Sequence, residues 1–479
     1  MDGVGMLVRS RRLLTEDGWL DGALLIDGER IASVVPADRI PTDGDSRRDV
    51  IDVGGLPVIP GLVDTHIHLR DPGFTQKEDF ETGTRAAAAG GVTTVCAMPN
   101  VQPPTNTVEN FLAHIANAGT KAHVDFGHNA AGTIPENIAG LAAAGATNFK
   151  VFMMADIGRD YPHMPGIAVD DHATLLRICE EVAATGRPLF VHPHDQALYD
   201  LFVHRAWDRW GRDYRSYARA WRDGDGIVLD SGIATLLQLQ RITGVRLHVL
   251  HMSSIEGFRL VEQAKAAGRD VTTEVNPSSI FLENSWENVE RLGPYSLGMW
   301  VPEPDADATW AAIDSGAVDV IATDHAPHTR AEKEQGWTDM YATPGGTPAV
   351  QTYLSLLLDT VNAGRLTIEQ VVALCSTNPA KLIGLYPRKG VIAPGADADL
   401  VVLDMDRTAT ISAADGYSKC GWTPFEGREV RGVPVMTIRR GEVIARDGKV
   451  LSEPGSGRFV RPVTTSQRPA DADTTVPSR

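Results

Sequence analysis

Hydrophobic and polar residues alternate in short runs at both ends of the chain, and turn residues separate the runs. The clearest examples are residues 23–26, 31–35, 398–403, 433–438 and 442–444. Short alternating runs with turns between them are typical of β-hairpins. The middle of the chain lacks this hairpin pattern. We therefore predict one small β-sandwich domain built from both ends, residues 1–57 and 388–451.

The middle of the chain, residues 58–387, alternates apolar runs with amphipathic, helix-like segments such as 78–89, 173–184 and 255–267. The predicted strands are 58–68, 93–99, 124–128, 149–153, 189–192, 247–251, 271–275 and 318–324. Eight strands with helices between them predict an α/β fold, a closed (β/α)8 TIM barrel. The alternative is an open doubly wound sheet, but no glycine-rich phosphate fingerprint follows any strand.

Two segments fall outside this alternation. Residues 196–230, after the fifth predicted strand, are rich in Trp, Arg and Asp. We read them as a long loop that forms a lid or substrate wall, or else an exposed helical insertion or subunit contact. The segment 452–479 is rich in Pro, Ser, Thr and Asp. It is predicted to be a flexible tail or an arm on a neighbouring subunit.

Composition narrows the class of protein. The net charge is −17 and the pI about 5.3, which disfavours nucleic acid and anionic membranes as partners but not a small anionic substrate. Four widely spaced cysteines form no CxxC motif and read as buried thiols. The sequence shows no apolar run long enough for a membrane helix, and no signal-peptide core before Asp21. These features predict a cytoplasmic protein.

Residues suited to metal binding cluster at the ends of the predicted strands, where barrel enzymes carry their chemistry. Eight of the 14 histidines fall there. Residues i and i+2 of a strand share one face, so His66 and His68 project the same way. Such a pair alone could equally be two packed core histidines, but five predicted strands contribute possible metal ligands. The strand-end residues are His66, His68, Lys150, His192, His194, His248, His251, Asp324, His325 and His328.

The motifs identify the chain as resembling the amidohydrolase superfamily, specifically the cyclic amidohydrolases: dihydroorotase, hydantoinase or dihydropyrimidinase, and allantoinase. The resemblance is closest to dihydroorotase. The matching motifs are PGLVDTHIH at 60–68, KVFM at 150–153, HMSS at 251–254, TDH at 323–325, NPAK at 378–381 and GADADL at 395–400.

The resemblance implies two divalent metal ions, usually zinc. By this resemblance His66, His68 and Asp324 hold one ion, and His192 and His251 hold the other. Lys150 carries CO2 as a carbamate and bridges both, because a lysine ammonium cannot ligate a metal. The alternative for Lys150 is a buried amine paired with a carboxylate. We expect His248, an odd number of residues before His251, to face away, and to pack or to support a ligand rather than bind a metal itself.

The expected reaction is hydrolysis of a ring amide. The metal pair lowers the pKa of a bridging water, and the hydroxide attacks a ring carbonyl. Asp324 is expected to take the hydroxide proton and deliver it to the departing ring nitrogen. The alternative for Asp324 is a purely structural carboxylate at the strand end.

Three further residues indicate which substrate ring is bound. By resemblance to dihydroorotases, Arg70, Asn100 and His328 hold a substrate carboxylate, and an arginine fork suits that task. Arg70 shares the face of His68 if the strand continues that far. The alternatives are a surface ion pair of Arg70 with Asp71 or Glu78, a turn role for Asn100 and a plain loop role for His328.

Other segments depart from the dihydroorotase pattern. They are Pro277-Ser278-Ser279, the segment 294–300 and the segment 342–346. Ser296 lies where a hydantoinase serine would contact the ring, although an ordinary loop serine is the alternative. The leading hypothesis is hydrolysis of dihydroorotate to N-carbamoyl-aspartate, or of a related carboxylate-bearing ring. Alternatives are a hydantoinase, dihydropyrimidinase, allantoinase or cyclic imidase, and a non-catalytic scaffold. The resemblance also implies a homodimer or homotetramer.

Overall fold

The computed structural model describes residues 5–40, 49–154, 166–224, 226–282, 285–296 and 305–462. Both ends of the chain contribute to one nine-stranded sheet, in the order β17-β16-β15-β14-β5-β1-β2-β3, with β4 paired to β1. Its strands are β1 Met6–Thr15, β2 Gly18–Asp27, β3 Arg30–Pro36, β4 Asp49–Asp52, β5 Pro57–Pro60, β14 Leu400–Thr410, β15 Glu429–Arg439, β16 Glu442–Arg446 and β17 Lys449–Val450. A separate apolar core that includes Leu24, Val58 and Val402 holds these strands together. The predicted small β unit is therefore present.

The middle of the chain forms an eight-stranded parallel sheet in sequence order. A parallel bridge joins Ile67 to His325, and the amide of His68 donates to the carbonyl of His325 at 2.8 Å, which links the last strand back to the first. The predicted (β/α)8 barrel is confirmed. Its strands are β6 Leu62–Ile67, β7 Val92–Ala97, β8 Asp125–Ala131, β9 Asn148–Phe152, β10 Leu189–His192, β11 Leu247–Val249, β12 Val271–Val275 and β13 Val320–Ile321.

The predicted first strand, 58–68, is wrong in one respect: it is two strands that belong to different sheets. β5 pairs with β1 and β14, whereas β6 pairs with β7. The chain changes sheets at Gly61, whose amide donates to the carbonyl of Asp399 at 2.8 Å. A Cβ at Gly61 would lie 2.3 Å from Oγ1 of Thr93, so only glycine fits this crossing.

Helices cover the barrel, and short polar side chains cap several of them. The helices are α1 Phe80–Ala89, α2 Val108–Gly119, α3 Pro135–Ala144, α4 His172–Thr185, α5 Gln196–Trp210, α6 Tyr214–Asp223, α7 Ile227–Thr243, α8 Ile255–Ala266, α9 Pro277–Phe281, α10 Trp286–Leu292, α11 Asp305–Ser315, α12 Arg330–Glu334, α13 Tyr353–Asn362, α14 Ile368–Val372 and α15 Asn378–Leu382. Asp79, Asp171 and Ser254 accept backbone N–H groups at the starts of α1, α4 and α8, where helices were predicted. No helix of the described residues is long and apolar enough to cross a membrane.

Of the two alternatives for the segment 196–230, the helical insertion agrees with the described residues and the loop does not. The segment forms α5, α6 and the start of α7. These helices bury an aromatic cluster of their own, with Tyr217 and Trp221 packed near Tyr199 and Tyr341. Because that cluster gives α5 and α6 an apolar face to bury, helix formation wins over a loop.

The predicted flexible tail is ordered in its first part. Residues 452–462 run beside β8, where Phe126 donates its amide to the carbonyl of Arg458 at 2.9 Å and Val460 donates to that of Phe126 at 2.8 Å. These backbone bonds and the burial of Val460 fix the segment against the barrel. Residues 463–479 of the prediction lie outside the described residues.

Candidate active site

His66 and His68 lie side by side where β6 leaves the barrel. The Nε2 atoms of His66 and His68 lie 3.1 Å and 3.2 Å from Oδ1 of Asp324. One ligand atom from each of the three residues falls within 4.8 Å of the other two. The alternate spacing therefore predicted the face correctly, and a residue from the far end of the barrel completes the group.

The prediction placed His251 and Asp324 on strands. In the structure both residues lie just beyond the ends of those strands. β11 ends at Val249 and β13 at Ile321. Both residues adopt left-handed backbone conformations, with φ of 35° at His251 and 44° at Asp324. Such conformations are costly for residues other than glycine, and they cluster at functional sites.

A second group of predicted residues adjoins the first. The rings of His192 and His251 are 4.5 Å apart, and the ring of His251 is 5.8 Å from that of His66. Lys150, at the centre of β9, is fully buried near them. Within the described part of the chain, Nζ of Lys150 and Nε2 of His192 have no hydrogen-bond partner. Burial lowers the pKa of Lys150 to about 7, against the pull of Asp324 and Glu274.

Glu274, on β12, is a residue that the sequence analysis missed. Its Oε1 accepts a hydrogen bond from Nδ1 of His66 at 2.7 Å, and the carboxylate is fully buried. Burial alone would lower the pKa of His66, but Asp324 and Glu274 raise it to about 9. The bond leaves Nε2 of His66 as the nitrogen that faces Asp324. The available signal was an acidic residue next to the last position of a predicted β-branched strand, Val271–Val275.

His248 and His194 lie beside these groups. Nδ1 of His248 is 2.8 Å from Oγ1 of Thr272, and its ring packs 4.3 Å from that of Phe190. Nε2 of His248 also lies 3.5 Å from Oε2 of Glu274, so His248 both packs and adjoins the partner of His66. The ring of His194 lies 5.0 Å from Tyr199, so α5 covers this side of the site.

The donor set fits a divalent metal pair. Imidazole nitrogens and a carboxylate are the ligands that zinc prefers. Two buried atoms support this fit. Nζ of Lys150 and Nε2 of His192 have no hydrogen-bond partner in the described structure, whereas buried polar atoms normally have one. A carbamate on Lys150 would supply two further oxygen ligands at that place.

Arg70, Asn100 and His328 converge beside His68. Asn100 accepts a hydrogen bond from Nδ1 of His68 through Oδ1 at 2.6 Å, and Nη2 of Arg70 lies 3.1 Å from Nε2 of His328. All three residues are buried. The strand argument for Arg70 was wrong, because β6 ends at Ile67 and Arg70 reaches the site through a left-handed turn with φ of 58°.

The alternative ion pairs of Arg70 are occupied by other residues. Asp71 binds Lys121 at 2.7 Å, and Glu78 lies 3.3 Å from His325. Ser296 is buried and donates to the carbonyl of Gly293 at 3.2 Å, which is the contact of an ordinary turn serine. The rest of the predicted segment after Ser296, residues 297–300, lies outside the described residues.

The sequence pattern described as "Amidohydrolase family" matches residues 58–444, most of the chain. The chain belongs to the amidohydrolase family. This amidohydrolase is 35% identical over 467 residues to an L-hydantoinase of Paenarthrobacter aurescens, covering 95% of this chain and 97% of the relative. It is also 35% identical over 411 residues to a dihydroorotase of Methanosphaera stadtmanae, covering 84% and 88%.

A third relative, an allantoinase of Streptomyces avermitilis, is 35% identical over 465 residues, covering 95% of the amidohydrolase and 98% of the relative. Among solved structures, an L-hydantoinase (dihydropyrimidinase) from Arthrobacter aurescens matches with a TM-score of 0.88 and 32% identity, covering 96% and 100%. The predicted resemblance to the cyclic amidohydrolases is confirmed, and the amidohydrolase is a hydrolase that acts on cyclic amides. The three relatives carry three different names, so the likeness establishes the reaction class and not the ring.

Proposed function

We propose that this cyclic amidohydrolase hydrolyses a ring that carries a carboxylate, either dihydroorotate or a close relative. The observation that supports the proposal is the convergence of Arg70, His328 and Asn100 next to His68. An arginine fork and an imidazole N–H are donors that match a carboxylate, and Nδ2 of Asn100 has no partner in the described structure.

A binuclear metal site is part of the proposal. His66, His68 and Asp324 would hold one ion, His192 and His251 the other, and Lys150, as a carbamate, both. When bound, the metal pair supplies Lewis acidity and lowers the pKa of water so that hydroxide is available near neutral pH. We predict that the metal is zinc, that the protein is a homodimer or homotetramer, and that it is cytoplasmic.

Asp324 is the proposed proton carrier. Burial would raise the pKa of its carboxyl, but the imidazoles of His66 and His68 hold it well below the ordinary value. The group is therefore ionised and can accept a proton from the attacking water. It then passes this proton to the ring nitrogen that leaves. Its left-handed backbone and the contact of its Oδ1 with both histidines fix where the proton is held.

A hydantoinase-type activity is the second candidate, and the helical insertion favours it. α5–α7 close one side of the site with an aromatic cluster, and the L-hydantoinase structure matches along its whole length. Such a wall suits a hydantoin with an apolar substituent. This activity would use the same metal site and Asp324, but not the donors around Arg70.

The two candidates are separated by a matched pair of substrates. Dihydroorotate and dihydrouracil share one ring and differ in the carboxylate. In Arg70→Ala we expect the ratio of kcat/KM for dihydroorotate to that for dihydrouracil to fall roughly a hundredfold, the effect of leaving a charged group unpaired in the site. The control is Arg177→Ala, which removes an exposed arginine paired with Glu136.

Equal losses of kcat/KM on both rings in Arg70→Ala would contradict the proposed function. A wild-type preference for dihydrouracil or for a substituted hydantoin over dihydroorotate would support the second candidate instead.

A further inference from the structure

Two cationic side chains flank the imidazole of His328. Nη2 of Arg70 lies 3.1 Å from its Nε2, and Nζ of Lys77 lies 3.4 Å from its Nδ1. All three residues are buried. Lys77 is outside every motif that the sequence analysis used, and the mechanism proposed above assigns it no role.

The hydrogen-bonding capacity of imidazole makes this arrangement informative. Arginine and a lysine ammonium can only donate, whereas a neutral imidazole has one donor and one acceptor nitrogen. Only one of the two contacts can therefore be a hydrogen bond at a time. If Arg70 donates to Nε2, the proton sits on Nδ1 and faces Lys77. If Lys77 donates to Nδ1, the proton sits on Nε2 and faces Arg70.

Burial, and after it the guanidinium of Arg70, lower the pKa of Lys77 to about 8 against the pull of Glu332, so the ammonium is still the major form at pH 7. The neighbours of Lys77 hold it in place. Its Nζ lies 2.6 Å from Oε1 of Glu332. Oε2 of Glu332 accepts hydrogen bonds from the amide and the hydroxyl of Thr329, each at 2.9 Å, in the capping box of α12. The backbone of His328 is fixed as well, since Nε1 of Trp422 donates to its carbonyl at 2.7 Å.

We propose that Lys77 is a positioning residue for an acidic substrate. Its ammonium donates to Nδ1 of His328 and keeps the ring proton on Nε2, so that Nε2–H and the Arg70 guanidinium donate together to one substrate carboxylate. A substrate carboxylate that reaches both groups can accept from Nε2–H of His328 and from the guanidinium of Arg70 at the same time. This inference rests on the proposed function and adds to it the residue that selects the tautomer of His328.

The first test separates binding from chemistry. Lys77→Met removes the donor and keeps the length of the side chain. We expect KM for dihydroorotate to rise about tenfold, the effect of one hydrogen bond to a charged group, with a smaller change in kcat. Lys77→Arg keeps a cationic donor and should recover most of the loss. The matched control is Lys121→Met, which removes another lysine paired with a buried carboxylate, that of Asp71.

The second test reads the tautomer directly. In protein labelled with 15N-histidine and bound to N-carbamoyl-aspartate, we expect the nitrogen shifts of His328 to report a proton on Nε2. His328→Asn assigns the resonance. In Lys77→Met the shifts should move toward the tautomer with the proton on Nδ1. A structural role for Lys77 alone would not move them.

The outcomes distinguish the two proposals. An unchanged tautomer in Lys77→Met, or an unchanged KM for dihydroorotate, overturns the role of Lys77 while the function tested with Arg70→Ala can still hold. A wild-type enzyme without preference for dihydroorotate over dihydrouracil overturns the proposed function, and the role of Lys77 toward an acidic substrate falls with it.

Discussion

Lys389 and Lys150 are both completely buried, and their surroundings are opposite. Nζ of Lys389 lies 2.6 Å from Asp125, 2.6 Å from Asp399 and 3.0 Å from Asp397, at the junction of the barrel with the small sheet. Nζ of Lys150 has no hydrogen-bond partner among the residues described and lies 4.2 Å from the ring centre of Phe152. Equal burial of the same residue type therefore has two different outcomes.

The charges explain the difference. For Lys389, burial lowers the pKa but three carboxylates raise it above the ordinary value. Its stabilising contribution is thus fully present below about 10.5, the ordinary pKa, and is lost as the pH rises through the folded-state value. For Lys150, burial outweighs the carboxylates, and the pKa falls to about 7. The burial of the Lys150 ammonium lowers the free energy of unfolding. This destabilisation is complete below pH 7 and decreases as the pH rises toward 10.5. Lys389 is a structural cation, and Lys150 is an amine available for chemistry.

The largest expected effect is the loss of activity in Lys150→Ala. Without the side chain no carbamate forms, and we expect kcat/KM on the best substrate to fall more than about a thousandfold, the scale of losing an electrostatic group at the reacting centre. Metal content should fall as well. Acetate or propionate, diffusing into the space left by the side chain, should restore part of the activity. Wild-type turnover in Lys150→Ala would contradict the proposed role.

The pKa of Lys150 predicts how carbamate formation depends on pH. Only the neutral amine reacts with CO2, and its fraction falls as the pH drops through about 7. Enzyme reconstituted in bicarbonate should therefore regain activity readily above pH 7 and poorly below it. Lys389→Met should show the same reconstitution profile, because its amine takes no part in the reaction.

The second effect is on stability. Lys389→Met leaves Asp125, Asp397 and Asp399 buried without their shared cation, although Arg440 still binds Asp125 at 2.8 Å. Removing one partner of a buried ion pair costs about 3–5 kcal/mol. We expect a much lower temperature of thermal unfolding, with kcat per folded molecule retained. A Tm within a degree of wild type would show that the cluster does not need Lys389.

The difference between the two lysines also shows what the sequence could predict. His66 and His68 were assigned to one face because alternation along a strand depends only on local geometry. Lys150 was found through its motif. Asp397 and Asp399 lie in the motif at 395–400, close to Lys389, but no pattern there indicates that they share one buried cation with Asp125. Asp125 comes from a distant strand, and only the tertiary fold brings it there.

Residues outside regular elements were harder to place. Arg70, His251 and Asp324 lie beyond the ends of their strands in left-handed turns, so alternation gives no information about where their side chains point. Glu274 was overlooked since its partner His66 is 208 positions away along the chain. The sequence left a loop and a helical insertion open for 196–230, because the aromatic face that stabilises the helices is buried partly against Tyr341, far along the chain.

Glu274 gives the smallest expected effect and the sharpest comparison with the aspartates around Lys389. It is a buried carboxylate close to Lys150, yet its hydrogen bond goes to His66. In Glu274→Gln the side chain can still accept from Nδ1 of His66 but carries no charge. We expect metal affinity to fall about tenfold, at the low end of the effects of such supporting groups. Titration with a zinc chelator measures it, with Glu136→Gln, which neutralises an exposed carboxylate paired with Arg177, as control. If Glu274→Gln binds zinc as tightly as wild type, the charge of Glu274 does not support the metal site, and the carboxylate has a structural role like those around Lys389.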